Sequence, residues 1–191
     1  VKYNSGGSKQ WLQQLGSSNN DFGLGVGVDS KGNIYVTGYT EGGLEGNTNS
    51  GERDIFLVKY NSSGTKQWTK QLGTPTFEEG HGVAVDSSDN IYVTGWTRGK
   101  LDIYSGGDDT FIVKYNSSGT KQWTRQFGAP SFLKKSQYNS SSQMSSSVDK
   151  GIGVAVDSSG NIYVTGNTEG GMDGNTNSGK NDIFLVKYNS M

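Results

Sequence analysis

Two loops of the sequence carry side-chain oxygens at alternating positions, which is a pattern typical of calcium-binding loops. Both contain Gly-Asn-Thr-Asn-Ser-Gly, at 46–51 and 174–179. Ca²⁺ prefers carboxylate and amide oxygens held in a tight turn. The match is partial, because glycine falls one position late and no bidentate glutamate closes either loop. The candidate ligands are Glu45, Asn47, Asn49, Asp54, Asp173, Asn175, Asn177 and Asp182.

The same side chains have an explanation without a metal. Asn, Asp and Ser hydrogen-bond to nearby backbone groups in turns, and the loop of the middle repeat, 101–109, lacks the alternating pattern. We therefore expect no cofactor, with calcium as the open alternative.

A second candidate site follows each Val-Thr-Gly, where the sequence has Tyr39, Trp96 and Asn167. An aromatic ring near a loop-bearing face can stack on a sugar or a peptide. The residue type varies between the repeats, which argues against an equivalent site in each. Packing between repeats is the favoured interpretation.

His81 is the single histidine and lies next to Glu78 and Glu79. A lone histidine without a nucleophile or a second metal ligand does not indicate catalysis. The paired acids do not recur in the other repeats. The sequence therefore predicts no enzyme, and a hydrolase is a remote alternative.

These candidates are positioned by an internal repeat. Asn-Ile-Tyr-Val-Thr-Gly begins at Asn33, Asn90 and Asn161, and Lys-Gln-Trp ends at Trp11, Trp68 and Trp123. A long repeat of this kind indicates units that bury their faces only against neighbouring units.

The middle repeat predicts four short antiparallel strands. Residues 82–85 and 90–95 are rich in β-branched and aromatic residues and flank a polar turn. Residues 111–115 and 121–127 show the same composition and also flank a polar turn. We expect Phe111, Val113 and Tyr115 to share one face, and each tryptophan to pack between sheets. Sheets that are apolar on both faces need a neighbour on each side, which favours the blades of a β-propeller over a solenoid.

Residues 54–68, followed by Gly-Val-Ala-Val-Asp and Asn-Ile-Tyr-Val-Thr-Gly, closely resemble the bacterial seven-bladed β-propeller repeat, SBBP. The resemblance covers nearly the whole chain apart from one insertion. It implies a propeller fold, and export or display at the bacterial cell surface. It implies no catalytic residues.

We therefore predict an all-β fold of about three propeller blades in one segment, 1–191. The blades span roughly 20–72, 80–127 and 150–190, with 1–15 supplying an outer strand and 129–150 forming a Ser-rich insertion loop. A closed propeller has about 4–8 blades, so the ring must be completed from outside these three. Either other copies complete it, two of them giving six blades, or a longer parent chain does.

The charge of the chain limits its partners. It has 17 basic and 18 acidic residues and no cysteine, and no apolar run approaches membrane-spanning length. We therefore expect no nucleic-acid partner, no membrane span and no disulfide. The predicted function is a non-catalytic scaffold for protein or surface interaction that associates head to tail. A carbohydrate-binding, lectin-like module is the alternative.

Overall fold

A computed structural model describes residues 1–103, 106–130, 132–135, 142–145 and 147–189. These residues form strands, turns and loops without a helix, so none of them forms a helix that could cross a membrane. The strands are β1 (Lys2–Tyr3), β2 (Lys9–Trp11), β3 (Asp21–Val28), β4 (Ile34–Thr40), β5 (Asp54–Tyr60), β6 (Lys66–Leu72), β7 (Glu78–Val85), β8 (Ile91–Thr97), β9 (Gly107–Tyr115), β10 (Lys121–Phe127), β11 (Phe132–Lys135), β12 (Ser142–Ser145), β13 (Ser147–Val156), β14 (Ile162–Thr168) and β15 (Asp182–Tyr188).

The strands form three consecutive antiparallel units. Blade 1 is β3-β4-β5-β6, blade 2 is β7-β8-β9-β10, and blade 3 is β13-β14-β15. A short parallel contact joins each blade to the next: Arg53 pairs with Phe77, and β9 pairs with the start of β13. The predicted all-β propeller architecture is confirmed.

Two segments lie outside these blades. β1 and β2 form a hairpin before blade 1, and β11 pairs antiparallel with β12 within the expected insertion 129–150. The last residues of that insertion, from Ser147, belong to β13 and therefore to blade 3. The first strand of blade 2 begins at Glu78, which pairs with Thr97 of β8, and the Glu78 N–H donates to the Arg53 carbonyl of blade 1.

Each blade buries two different apolar faces, because successive side chains of a strand point to opposite sides. We call the face toward the following blade the leading face, and the face toward the preceding blade the trailing face. Ile55 and Leu57 on the leading face of blade 1 pack against Phe111, Val113 and Tyr115 on the trailing face of blade 2. The expectation that these three residues share a face is confirmed.

The same arrangement repeats at the next contact. Ile112 on the leading face of blade 2 packs with Val164 and Phe184 of blade 3, and Trp123 and Phe127 border this cluster.

A β-bulge recurs where the first and second strands of each blade pair. The register shifts between Gly23 and Gly25, between Gly80 and Gly82, and between Gly151 and Gly153. Opposite each bulge lies the glycine of Val-Thr-Gly. A Cβ on Gly95 would lie 1.8 Å from the Glu79 carbonyl oxygen, and the contacts at Gly38 and Gly166 are 1.8 and 1.9 Å. These positions can hold no side chain without a backbone shift.

The first turn of each blade is organised by an aspartate. In blade 2, Asp86 accepts hydrogen bonds from the backbone of Ser88 and Asn90, from the Asn90 side chain and, at 3.0 Å, from the Tyr92 hydroxyl. Asp29 and Asp157 make the same set of bonds in the other blades. Burial opposes ionisation of Asp86, but these hydrogen bonds outweigh it and hold its pKa below the ordinary 3.8.

This lowered pKa predicts acid sensitivity. A carboxylate whose pKa is lower in the folded state contributes stability above its ordinary pKa, and that contribution is lost as the pH falls through the folded pKa. We therefore expect the free energy of unfolding to decrease below about pH 4, and Asp86→Asn to weaken that decrease. Urea denaturation at a series of pH values measures it, with Asp102→Asn in a loop as the matched control. If Asp86→Asn and Asp102→Asn show the same acid dependence, the interpretation is wrong.

Candidate functional site

The asparagines of the two candidate calcium loops direct their amide groups at the backbone. The Asn47 amide donates to the Leu44 carbonyl at 2.7 Å, and Asn49 donates to the Gly51 carbonyl at 2.5 Å. In blade 3, Asn175 donates to the Met172 carbonyl at 3.0 Å and Asn177 to the Thr168 carbonyl at 3.3 Å. Turn formation therefore accounts for these amide groups.

The acidic residues of the two loops differ in burial and in hydrogen-bond partners. Asp54 is fully buried and accepts from the Ser50 N–H and the Gln71 amide, whereas Glu45 forms an exposed ion pair with Lys66. Asp182 accepts from the Ser178 N–H at 2.6 Å. Glu45 and Asp173 adopt positive φ, 54° and 49°. Among the described residues, no three acidic or histidine side chains converge on one point. A calcium site stays a prediction, which calorimetric titration with Ca²⁺ would test.

The two aromatic residues after Val-Thr-Gly lie inside the contacts between blades. Tyr39 is 9% exposed and Trp96 is 6% exposed. A cation covers each ring: the Arg53 guanidinium lies 4.4 Å from the Tyr39 centroid, and Lys150 Nζ lies 4.2 Å from the Trp96 centroid. Asn167, the third member of the set, is exposed and lies in blade 3 away from the other two. In this arrangement the rings serve packing and cation–π contacts.

Arg53 belongs to a network of charges at the contact between blades 1 and 2. Arg53 lies between two glutamates: its Nε is 3.3 Å from Glu41 Oε1, and its Nη1 is 2.5 Å from Glu79 Oε1. Glu79 also accepts from Trp96 Nε1 at 3.1 Å. Burial raises the pKa of Glu79, but the hydrogen bonds from His81 and Arg53 outweigh it, so the pKa is lowered and the carboxylate is ionised.

His81 takes part in this network. Its Nε2 lies 3.2 Å from Glu79 Oε2. Glu78, the other acid of the pair, points to the opposite face of the strand, where it is fully buried and accepts from the hydroxyls of Thr74 and Thr97. The two carboxylates therefore do not face one another across a shared cleft.

Sequence reasoning missed Arg53, Arg98, Asp108 and Lys150. Asp108 accepts from Arg98 Nε at 2.8 Å and lies 4.0 Å from Lys150 Nζ at the contact between blades 2 and 3. The sequence contains a signal for these residues. When the repeats are aligned, Arg53 and Asp108 occupy one position, and Glu79 and Lys150 occupy another. From the first contact to the second, the charge at both positions is reversed.

The outer faces of the three-blade stack are apolar and only partly covered. On the leading face of blade 3, Ile183 and Leu185 are 87% and 72% exposed, whereas their counterparts Ile55 and Leu57 in blade 1 are 2% and 1% exposed. On the trailing face of blade 1, Val26 and Val28 are 68% and 60% exposed.

The β1–β2 hairpin covers the outer part of that trailing face. The Trp11 ring lies against Gly64 of the third turn of blade 1, as the Trp68 ring lies against Gly119 of blade 2. A groove of about 260 Å³ remains between the hairpin and blade 1, lined in part by Phe22, Val26 and Phe56. The hairpin thus takes the place of the outer half of a preceding blade.

Three similar sheets stacked face to face, with the first strands inside and the tryptophan-bearing strands outside, define a segment of a β-propeller. The sequence comparison gives the same class. The β-propeller repeat family SBBP matches residues 10–45, 67–102 and 122–171, which together make up more than half of the chain. The chain belongs to this family.

Two curated proteins are similar over 67% of this chain. An uncharacterized WD repeat-containing protein, L264, of Acanthamoeba polyphaga mimivirus is 27% identical over 158 residues. The regulatory protein FlaEY of Caulobacter vibrioides is 31% identical over 147 residues. The matched region is 11% and 15% of the length of these two relatives.

One solved structure is a protein of unknown function from Bacteroides caccae. It is 12% identical with a TM-score of 0.36, over 88% of this chain and 61% of that one. A likeness at this level supports no statement about function.

Proposed function

We propose that this chain is a non-catalytic β-propeller scaffold that associates head to tail through complementary ends and presents its loops to other macromolecules. The observation that carries the proposal is the leading face of blade 3. Ile183 and Leu185 are exposed there at positions where blade 1 buries the corresponding Ile55 and Leu57. Burying such side chains contributes about 1.5–3 kcal/mol each, so an apolar face of this kind favours a partner.

The trailing face of blade 1 carries side chains of the type that meet a leading face inside the chain. In both internal contacts, Ile or Leu of a leading face packs against aromatic and valine side chains of the next trailing face: Ile55 and Leu57 in the first contact and Ile112 in the second. The groove on blade 1 is lined by side chains of the same kind: Phe56 and Val58 form its floor at 5% and 2% exposure, and Val26 beside them is 68% exposed. We therefore place the leading face of one copy against the trailing face of another.

The sheet edges fit the same arrangement. Within the part of the chain that the structure describes, no strand pairs with the outer edge of β15. Residues 186–189, at the end of β15, repeat Val-Lys-Tyr-Asn of residues 1–4. In the N-terminal hairpin Lys2 pairs with Trp11 and Tyr3 with Lys9, the register that Lys114 and Tyr115 have with β10.

β15 of one copy can consequently replace β1 beside β2 of another, which is strand addition to a sheet edge. The displaced strand β1 has only two residues and is largely exposed, so little is lost. Blade 3 of the first copy then gains its fourth strand.

The number of copies follows from ring closure. Each copy contributes three blades once β2 completes a neighbouring blade, so two copies give six, which lies within the range of about 4–8 for closed propellers. A heterologous contact that closes after two copies is self-limiting.

Light scattering coupled to size exclusion tests the proposal. We expect twice the 20.5 kDa of one chain. Leu185→Glu should reduce the mass to that of one chain, because a charge in the apolar contact is costly. Ile103→Glu is the matched control, since Ile103 is equally exposed at 72% but lies in a loop of blade 2. A single-chain mass for the unaltered protein at every concentration would overturn the proposal.

Display at the bacterial surface is part of this proposal and rests on the resemblance of the repeats. Carbohydrate binding through Tyr39, Trp96 or Asn167 stays a prediction, and a glycan array tests it.

A further inference from the structure

The two contacts between blades are equivalent in position but opposite in charge. We call the contact of blade 1 with blade 2 junction 1, and that of blade 2 with blade 3 junction 2. In junction 1 the positive Arg53 lies between Glu41 and Glu79. In junction 2 the negative Asp108 lies between Arg98 and Lys150. The same three positions thus read negative–positive–negative and then positive–negative–positive.

These charges lie in surroundings that make them selective. The side chains of Glu79 and Asp108 are 12% and 7% exposed, and aromatic rings lie next to the cations. The Phe77 ring lies 5.6 Å from the Arg53 guanidinium and 5.2 Å from that of Arg98. In such partly buried positions a like-charge contact costs more than at an open surface. Placing Arg53 opposite Lys150, or Asp108 opposite Glu79, would bring like charges together.

The third set of these positions has a different composition. Glu169 corresponds to Glu41 and Arg98, and Asn181 corresponds to Arg53 and Asp108. The position of Glu79 and Lys150 is Phe22, which pairs with Tyr39 near the start of β3. Asn181 and Phe22 are both exposed, and they belong to the last and the first blade of the stack. The central pair of a third junction would therefore be an amide and an aromatic ring, without a charge.

The aromatic residue beside these charged positions also differs between the blades. Tyr39 and Trp96 supply the ring from the leading blade at junctions 1 and 2, whereas Asn167 has replaced it in blade 3. In blade 1, Phe22 supplies a second ring, which stacks on Tyr39 with a centroid distance of 4.9 Å and is 47% exposed. Blade 3 thus lacks a ring at one end of the stack, and blade 1 has an additional, partly exposed ring at the other end.

We infer that Asn181 of one copy meets Phe22 of another, as Arg53 meets Glu79 and Asp108 meets Lys150 within the chain, and that this uncharged pair selects a second copy as the partner of blade 3. The inference rests on the head-to-tail association proposed above. It adds the residues that meet and the reason for their selectivity: a charged residue at either position would face a partner without a compensating charge.

Two double variants of the full chain test this inference. Phe22→Lys/Asn181→Arg places like charges at the junction between copies, and Phe22→Glu/Asn181→Arg recreates the polarity of junction 1. Both remove the Phe22 ring, so each is the control for the other. Sedimentation equilibrium at low and high salt gives the dissociation constant of the dimer, and circular dichroism melting verifies the fold of each chain.

We expect the like-charge variant to dissociate at least about tenfold more readily than the opposite-charge variant. Salt should narrow the difference because it screens the repulsion. Equal dissociation constants for the two variants, with the unaltered chain dimeric, would overturn this inference and leave the association intact. An unaltered chain that is monomeric at every concentration would overturn both.

Discussion

Replacing Gly95 by alanine is expected to lower the free energy of unfolding by about 3 kcal/mol or more, the largest single-residue effect that we predict. An added Cβ would lie 1.8 Å from the Glu79 carbonyl oxygen and 2.9 Å from the carbonyl carbon. Both atoms belong to the backbone of the bulge in β7, so no side-chain rotation relieves the contact, and the pairing of β7 with β8 must shift. Urea denaturation followed by tryptophan fluorescence measures the change.

The chain offers a matched control for this substitution. Gly179 has no atom within 4 Å of an added Cβ and does not have positive φ. Gly179→Ala should therefore leave the free energy of unfolding nearly unchanged. If Gly95→Ala is tolerated as well as Gly179→Ala, the bulge adapts, and the close approach is not the reason for a glycine at the end of Val-Thr-Gly.

Truncating Leu57 to alanine should cost about 3 kcal/mol, because it opens a cavity between blades 1 and 2. Leu57 is 1% exposed and packs in the cluster that joins these two blades. Its counterpart Leu185 has the same neighbours along the sequence but is 72% exposed. In protein dilute enough to be monomeric, Leu185→Ala should change the free energy of unfolding by less than about 0.5 kcal/mol.

Comparing Leu57→Ala with Leu185→Ala separates the effect of the local sequence on stability from the effect of burial between blades. Thermal and urea unfolding of the two variants at the same low concentration give the difference directly. At high concentration Leu185→Ala should acquire a cost, because the proposed contact with a second copy buries that side chain. Similar costs for both variants at low concentration would mean that blade 3 is covered within a single chain.

The strands could be predicted closely because local chemistry determines them. The fourth strand of blade 2 was expected at residues 121–127 and is observed as Lys121–Phe127. Trp123 and Phe127 favour a strand and lie on the same side of it, and the Asn-Ser-Ser-Gly turn sets its start. Gly119, with a φ of 78°, adopts the left-handed conformation that this turn requires.

The contacts across blades could not be predicted in this way. Whether Arg53 reaches Glu79 depends on the spacing and relative rotation of two sheets, and a repeat pattern contains neither quantity. The sequence favours packing between repeats for Tyr39 and Trp96, but it does not place the cations that cover these rings, because Arg53 and Lys150 come from other segments of the chain.

Glu78 is a further example of a residue that the pattern could not place. An acidic residue at the start of a strand is usually exposed, but Glu78 is fully buried. Hydroxyl groups of three threonines and the Thr74 N–H surround its carboxylate, and two of those threonines lie in the preceding loop. Only the folded loop brings these donors together.

The identity of residues 1–4 with 186–189 has a genetic consequence. Joining Asn189 of one copy directly to Ser5 of a second would continue β15 into the next tryptophan-bearing strand, with no residue gained or lost. Unequal recombination at this shared stretch would therefore lengthen a coding sequence by three blades at a time without a frameshift in the repeat. The same junction would allow a six-blade ring to be encoded as one polypeptide without added linker residues.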